Sequence, residues 1–462
     1  MDERRANPVL FDDLNEKPTK ILFDEPTTSS DGGVVLLEAA DRQLGLTAAF
    51  VERIDDPRQP GKVGHSVEQL VRQRIYGIAC GYSDCNDAAR LANDPMMRLV
   101  SGRSIEDESD TLAGQSTLSR FENSLDATTL FRIGCSLAQA VVDRQKERRR
   151  GRRRPRLITI DLDPTEDPTH GQQEFSFYHG HYRSWCFLPT AMFISFDDES
   201  SQYLVATVLR PGNAHATNGA FCKIRRLVAM LREAWPKARI RVRLDGGFAT
   251  PAMLEWLEWL DVEYLIGMAG NKRLNAIAAS LMKKVQAEQK RTGETARRFD
   301  ECEYGARSWG TERRIIIKAE VTVIEGRAPR DNCRFVVTNL RHKPENVYRL
   351  YRKRGDVENR IKELHDGVDL GRTSCTSFLA NSFRVLLCAA AYMLFQVLRE
   401  LVDDPSLQRA QVRTLRERLL KVAARIWVTC RCVYVALPES YPWANAFRRL
   451  AIKLRARPAS PT

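Results

Sequence analysis

The chain has 462 residues, 43% of them hydrophobic and 28% charged, and 72 Lys and Arg outnumber 59 Asp and Glu for a net charge of +13. That length holds two or three domains with cores of their own, and the composition is that of a globular protein. The positive surplus favours a polyanionic partner, and no apolar run approaches a membrane span: the longest, 385–397, is broken by Gln396 and reads as a buried helix. No signal-peptide core opens the sequence, so a cytosolic protein is expected. Eleven cysteines are scattered without a Cys-x-x-Cys, and Cys430 and Cys432 are too close for a usual zinc pair, so reduced thiols are expected.

Residues 1–30 hold few apolar anchors and read as poorly ordered or draped. A helix follows over Val34–Leu44, with Ser30 or Asp31 able to cap it. Helical periodicity returns at 67–79, 83–91, 116–123 and 127–143, with a short helix from Asp94-Pro95 and a polar loop over 101–114. Residues 31–143 therefore read as all-helical. The stretch 144–156 carries nine Lys or Arg and one Glu, which suits a linker that contacts phosphates. An alternation comes next: strands at 157–163, 186–196 and 202–209, a helix at 217–234, a strand at 239–245, a helix at 251–260 and a strand at 263–267. That order is the one of a ribonuclease-H-like α/β fold. A helix over 271–295 and a strand-rich stretch over 297–340 interrupt it as an insertion. A long helix over 345–365 and a buried helix over 377–402 follow, and the tail from 406 is basic and mostly helical until Pro458.

Two strands end in aspartate. Leu157-Ile-Thr-Ile-Asp-Leu-Asp163-Pro-Thr places Leu157, Thr159, Asp161 and Asp163 on one face and Ile158, Ile160 and Leu162 on the other. A carboxylate at the tip of a buried strand is costly unless paired, hydrogen-bonded or bound to metal. Asp245 repeats the arrangement after Ile240, Val242 and Leu244, and Gly246-Gly247 lets a ligand or backbone come close. On the 345–365 helix, Tyr351, Arg354, Glu358, Lys362 and His365 fall within a stripe of roughly 80°. Leu350, Val357, Ile361 and Leu364 lie on an adjoining apolar stripe. Three carboxylates on two strand ends and a helix suit a pair of Mg²⁺ ions, with Arg354, Tyr351 and Lys362 placed to hold phosphate.

These motifs together resemble the DDE transposases of bacterial insertion sequences, and most closely insertion-sequence family thirteen-eighty within the group marked by Tyr-x-x-Arg-x-x-x-Glu. The residues that carry the resemblance are Asp163-Pro-Thr with His170-Gly-Gln-Gln173, Arg243-Leu-Asp245-Gly-Gly-Phe248, and Tyr351-Arg-Lys-Arg354-Gly-Asp-Val-Glu358-Asn359. Gly81-Tyr-Ser-Asp84-Cys-Asn86-Asp87 and Leu118-Ser-Arg120-Phe-Glu122-Asn123 add to it.

The resemblance implies that Asp163, Asp245 and Glu358 are the catalytic, metal-binding triad, with Asp161 the alternative to Asp163. It implies two Mg²⁺ per site, which Mn²⁺ can replace, and DNA contacts from Tyr351, Arg354, Lys362 and His365. The wider group often has lysine where this chain has His365. It further implies double-stranded DNA as partner, both terminal inverted repeats and target, no membrane, and at least a homodimer on DNA in a bacterial cytoplasm. A catalytically silent repressor is the alternative.

The layout expected is a helical DNA-binding and dimerisation region over 1–143, a basic linker over 144–156 and the first part of the catalytic core over 157–268. An insertion over 269–341, the completion of the core over 342–402 and a basic C-terminal region over 403–462 follow. His170, His179 and His181 are weak zinc candidates, since nothing completes a site. Trp309 in the insertion is either a core residue or, as in related transposases, a platform for an extruded base.

Overall fold

The computed structural model describes residues 9–12, 17–151 and 153–457. The chain forms two compact units, Met1–Ser124 with Leu394–Thr462, and Leu125–Met393.

The first unit is helical with two small sheets. Its helices span Val34–Leu44, Leu46–Val51, Val67–Ala79, Cys85–Leu91, Pro95–Val100 and Gln115–Glu122, with Pro405–Gln408, Val412–Leu415 and Ala444–Lys453 in the tail. Ser66 and Gln69 form a capping box at the third of these, satisfying amides that the helix itself cannot. The first helix is capped otherwise than expected: Gly33 precedes it with no side-chain cap. Asp31 is instead fully buried, paired with Lys421 at 2.7 Å and accepting a bond from the Tyr82 hydroxyl. In the first thirty residues, Val9–Phe11 pairs with Thr19–Ile21, and Thr28–Ser29 joins the tail's sheet; residues 1–8 and 13–16 lie outside the described residues. The tail is less helical than expected. Ala424–Val428 and Val433–Ala436 form an antiparallel hairpin, because β-branched and aromatic residues there pair across strands. Trp427 and Tyr434 stack across it at 5.2 Å. Pro458, the expected end of helix, lies outside the described residues.

The second unit carries an eight-stranded mixed sheet. A helix α1 (Ala127–Arg148) leads into strand β1 (Leu157–Pro164). The helix runs into the expected linker, where Arg149 pairs with Glu199 at 2.6 Å and lies over the Phe196 ring. A small hairpin, β2 (Phe177–His179) and β3 (Ser184–Phe187), precedes β4 (Thr190–Phe196) and β5 (Tyr203–Val208). Then come α2 (Ala220–Ala234), β6 (Arg239–Leu244), α3 (Pro251–Trp259), β7 (Glu263–Met268) and α4 (Lys272–Thr292). Strands β8 (Ala296–Tyr304), β9 (Arg313–Thr322) and β10 (Arg330–Thr338) follow, and α5 (Pro344–Arg352), α6 (Gly355–Val368) and α7 (Phe378–Leu401) complete the unit. The last turns of α7 belong to the first unit.

The sheet order is β8-β9-β10-β7-β6-β1-β4-β5. Strands β1, β6 and β7 are parallel to one another, and β4, β5 and β10 join antiparallel. Ile158, Ile160, Leu162, Val242 and Leu244 are buried, which explains the near-continuous apolar runs of the central strands. The strand-rich stretch at 297–340 adds to the same sheet through β10 on β7. On that extension α5 packs Val347 and Tyr348 against Leu265, Ile316 and Val336. The long helix expected over 345–365 is two helices. Bonds from Arg354 N–H to the Tyr351 carbonyl and from Val357 N–H to the Arg354 carbonyl tighten the chain before Gly355, so Tyr351 and Glu358 stand on different helices. Helix α7 is the one helix among the described residues long and apolar enough to cross a membrane. With 83% of its apolar window buried, it is a core helix.

Candidate active site

The site starts from strand register. Parallel pairing sets Arg243 of β6 beside Asp161 of β1. Two residues on, Asp163 and Asp245 leave the ends of these neighbouring strands at the same level. The backbone ladder thereby fixes both before any side chain is considered.

Asp161 is 1% exposed, and both its oxygens are taken by Arg243, whose Nε and Nη2 donate at 2.7 Å each. The third arm of that guanidinium donates to the Leu350 carbonyl at 2.9 Å and so fastens α5 to the sheet. Asp245 is half-buried and opens a short helical turn, its Oδ1 accepting from the Gly247 N–H at 2.9 Å.

Arg354 joins the remaining carboxylates. Its Nη1 donates to Asp163 and its Nη2 to Glu358, each at 2.8 Å. Burial pushes the Asp163 carboxyl up to about 7; Arg354 works against this, and the charges of Asp245 and Glu358 add to it. Glu358 is exposed in the first turn of α6, where the helix dipole favours a negative charge.

The basic and aromatic residues separate. Tyr351 turns inward against Gly267 of β7, where any side chain would collide with the Tyr351 hydroxyl. Burial raises its phenol, which Arg354 opposes. His365 is half-buried with Nε2 3.1 Å from the Thr165 hydroxyl, and burial lowers its imidazole toward the neutral form. Lys362 alone of the four stands in open solvent. Among the described residues no group of three His, Cys, Asp or Glu side chains is gathered to hold a metal ion. The Arg354 guanidinium bridges two of the carboxylates instead. The donor chemistry nevertheless suits a hard divalent cation: all-oxygen ligands whose like charges already raise Asp163.

Sequence reading missed three supports. Arg243 shares the strand face of Asp245, and its charge opposite Asp161 was the available signal. Arg210 is buried and donates to the Leu188, His215 and Ala216 carbonyls, fixing the loop over 211–219. Ala216 of that loop sits 3.1 Å from where a side chain on Gly247 would begin, beside Asp245. Gly212 of the same loop lies so close to the Phe177 and Cys186 carbonyls that only glycine fits. The β2–β3 hairpin is thus tied to the carboxylate end of the sheet. At its turn His179 and His181 pack on Tyr182 at 5.0 and 4.9 Å. Burial raises the Tyr182 phenol, and Asp163, Glu166 and Asp245 raise it further. Trp309 is half-buried on the β8–β9 turn, edge-on to Tyr304 and under the Arg313 guanidinium.

A large mixed sheet with aspartates at adjacent strand ends and a glutamate helix beside them accords with the DDE class of transposases. Residues 11–459 match the family described as transposase DDE domain group 1, and the chain belongs to that family. DDE transposases act on DNA and generally use divalent metal ions. A comparison with curated proteins finds no match.

Proposed function

We propose that the protein is an active transposase of insertion-sequence family thirteen-eighty. It binds the terminal inverted repeats of its element, cuts the DNA there, and joins the freed ends to target DNA. The observation that carries this reading is the convergence on Asp163. Asp245 ends the adjacent parallel strand, and Arg354 ties Glu358 to Asp163. The sheet segment β5-β4-β1-β6-β7, with its last two strands parallel to β1, supports a ribonuclease-H-like core.

Asp163, Asp245 and Glu358 would hold two Mg²⁺ ions, or Mn²⁺ in their place, which would supply Lewis-acid activation of the attacking oxygen and stabilisation of the leaving one. The chain's own residues then have separable tasks. Arg354 carries the positive charge nearest the carboxylates and is suited to a phosphate oxygen through a two-pronged contact. Lys362 meets the DNA backbone from the exposed face of α6. Tyr351 and His365 position rather than reach: Tyr351 braces α5 against β7, and His365 holds Thr165 beside the first aspartate. No covalent protein–DNA intermediate is required. The basic residues around 144–156 and the C-terminal region supply nonspecific phosphate contacts. Joining two ends requires at least a dimer on DNA, in a bacterial cytoplasm.

The test is cleavage of labelled DNA carrying the presumed element ends, with Mg²⁺ or Mn²⁺. Wild type is compared with Asp163→Ala, Asp245→Ala, Glu358→Ala and Asp161→Ala. The proposal expects the three triad variants to bind and not cut. Wild-type binding without cutting in either metal would return the reading to a silent repressor.

A further inference from the structure

Helices α1, α2 and α7 and strands β4 and β5 line a cavity of about 360 Å³. Its walls are apolar, built from side chains such as Leu130, Met192, Val205, Leu227, Met230 and Leu386. The two hydroxyls on the wall, Thr207 and Ser382, are spent on the Val385 and Phe378 carbonyls. The charged groups that line it are Lys223 and Arg226, neighbours along one face of α2, and no carboxylate accompanies them. Arg226 stands at the mouth. It lies 4.2 Å over the ring of Phe131, which is 55% exposed, and donates to the Cys135 sulfur at 2.8 Å.

Lys223 is half-buried, and among the described residues it has neither a hydrogen-bond partner nor a carboxylate partner. It folds back to the start of α2, its Nζ 3.6 Å from where a side chain on Gly219 would begin. No side chain caps that end of the helix, so its free amides add to the positive potential there. Burial and the Arg210 charge lower the Lys223 amine to about 8. A cation withdrawn from water among like charges is costly until an anion meets it. A phosphate of DNA would meet that charge and leave the apolar walls empty. The cavity itself asks for a chain: at about 30 Å³ each, roughly a dozen non-hydrogen atoms fill it. We infer that the cavity binds a medium-chain monocarboxylate of about ten carbons, its chain between α1, β5 and α7 and its carboxylate against Lys223. Asp163, Asp245 and Glu358 do not line this cavity, so the site is separate from the DNA chemistry proposed above.

The experiment is isothermal titration calorimetry of the full-length protein, free of DNA, with sodium decanoate. One molecule is expected to bind per chain. Octanoate should bind about tenfold more weakly, at about fourfold per methylene lost. Acetate, which lacks the chain, and decyltrimethylammonium, which reverses the charge, should bind far more weakly still. Lys223→Met keeps the apolar stem and removes the charge; it should weaken decanoate about 10- to 100-fold without lowering the melting temperature. Ala138→Phe places a ring in the cavity and should abolish binding; if that variant does not fold, Lys223→Met decides. Absence of decanoate binding, or binding that Lys223→Met leaves unchanged, overturns the assignment. Decyltrimethylammonium binding as tightly as decanoate also overturns it, since the cavity is then merely apolar. Inorganic phosphate bound through Lys223 with no decanoate binding overturns it in favour of a DNA backbone contact. DNA cutting by the wild type is a separate readout, so either reading can fail without the other.

Discussion

Arg243→Met tests whether Asp161 is structural. The substitution removes the two 2.7 Å bonds to Asp161 and the 2.9 Å bond to the Leu350 carbonyl. It leaves a carboxylate that is 1% exposed with its partner gone. Breaking one side of a buried ion pair costs about 3–5 kcal/mol, and Asp161→Leu, which strands Arg243 instead, should cost a similar amount. Replacing both removes the charges together. The double variant should lose only about 1–2 kcal/mol, chiefly through the unsatisfied Leu350 carbonyl. Urea denaturation of the wild type, both single variants and the double variant closes a cycle with a coupling of at least about 3 kcal/mol. The pH dependence has a definite sign. Burial already raises the Asp161 carboxyl, and without Arg243 only the Arg354 charge opposes that. A group raised in the folded state stabilises fully below its unfolded pKa and loses this as pH rises, so the Arg243→Met deficit should shrink in acid. Additive losses across the cycle would refute the reasoning. So would a double variant that folds, binds DNA and does not cut, because Asp161 would then belong to the chemistry.

Gly267→Ala should be destabilised by about 1–3 kcal/mol, since the new methyl meets the Tyr351 hydroxyl; thermal melting measures it, and cutting should fall further than stability alone explains. Arg354→Lys keeps the charge but not the fork that reaches Asp163 and Glu358 together; cutting at saturating DNA should drop at least tenfold, with little change in melting temperature. Asp167 is buried, pushed up to about 7 by burial and the Glu166 charge against Thr373 and Arg384. Wild-type stability should therefore decline as pH rises from about 4 through about 7, by a few kcal/mol at most. Asp167→Asn should flatten that decline in denaturation curves taken across the range.

The central strands were legible because burial on both faces leaves a plain signature in sequence. Leu157–Pro164, Arg239–Leu244 and Glu263–Met268 lie where their apolar runs place them. The break before Gly355 was not legible, since periodicity passes through it and only the local hydrogen bonds reveal it. The tail's hairpin was hidden by its charge: Arg425 and Arg431 dilute an alternation that becomes clear only when Trp427 meets Tyr434. Within the site, the residues of the three motifs could be named, but not what each touches. Spacing offers the Arg354–Glu358 pair, four residues apart, but cannot say that Arg354 also reaches Asp163 or that His365 faces Thr165, because those contacts join segments about two hundred residues apart.

The outer strand β8 has a bearing on crowding. A nine-residue edge strand exposes unpaired backbone groups that can recruit a strand from another molecule. Proteins that collect on one DNA reach local concentrations at which such recruitment becomes fast. Along β8 the chain sets Arg297, Arg298, Asp300, Glu301 and Glu303, most of them in solvent. A second copy of this strand laid alongside parallel and in register would set like charges opposite one another at all five positions, which disfavours that pairing. Copies gathered on DNA are thereby kept from stacking these edges parallel and in register.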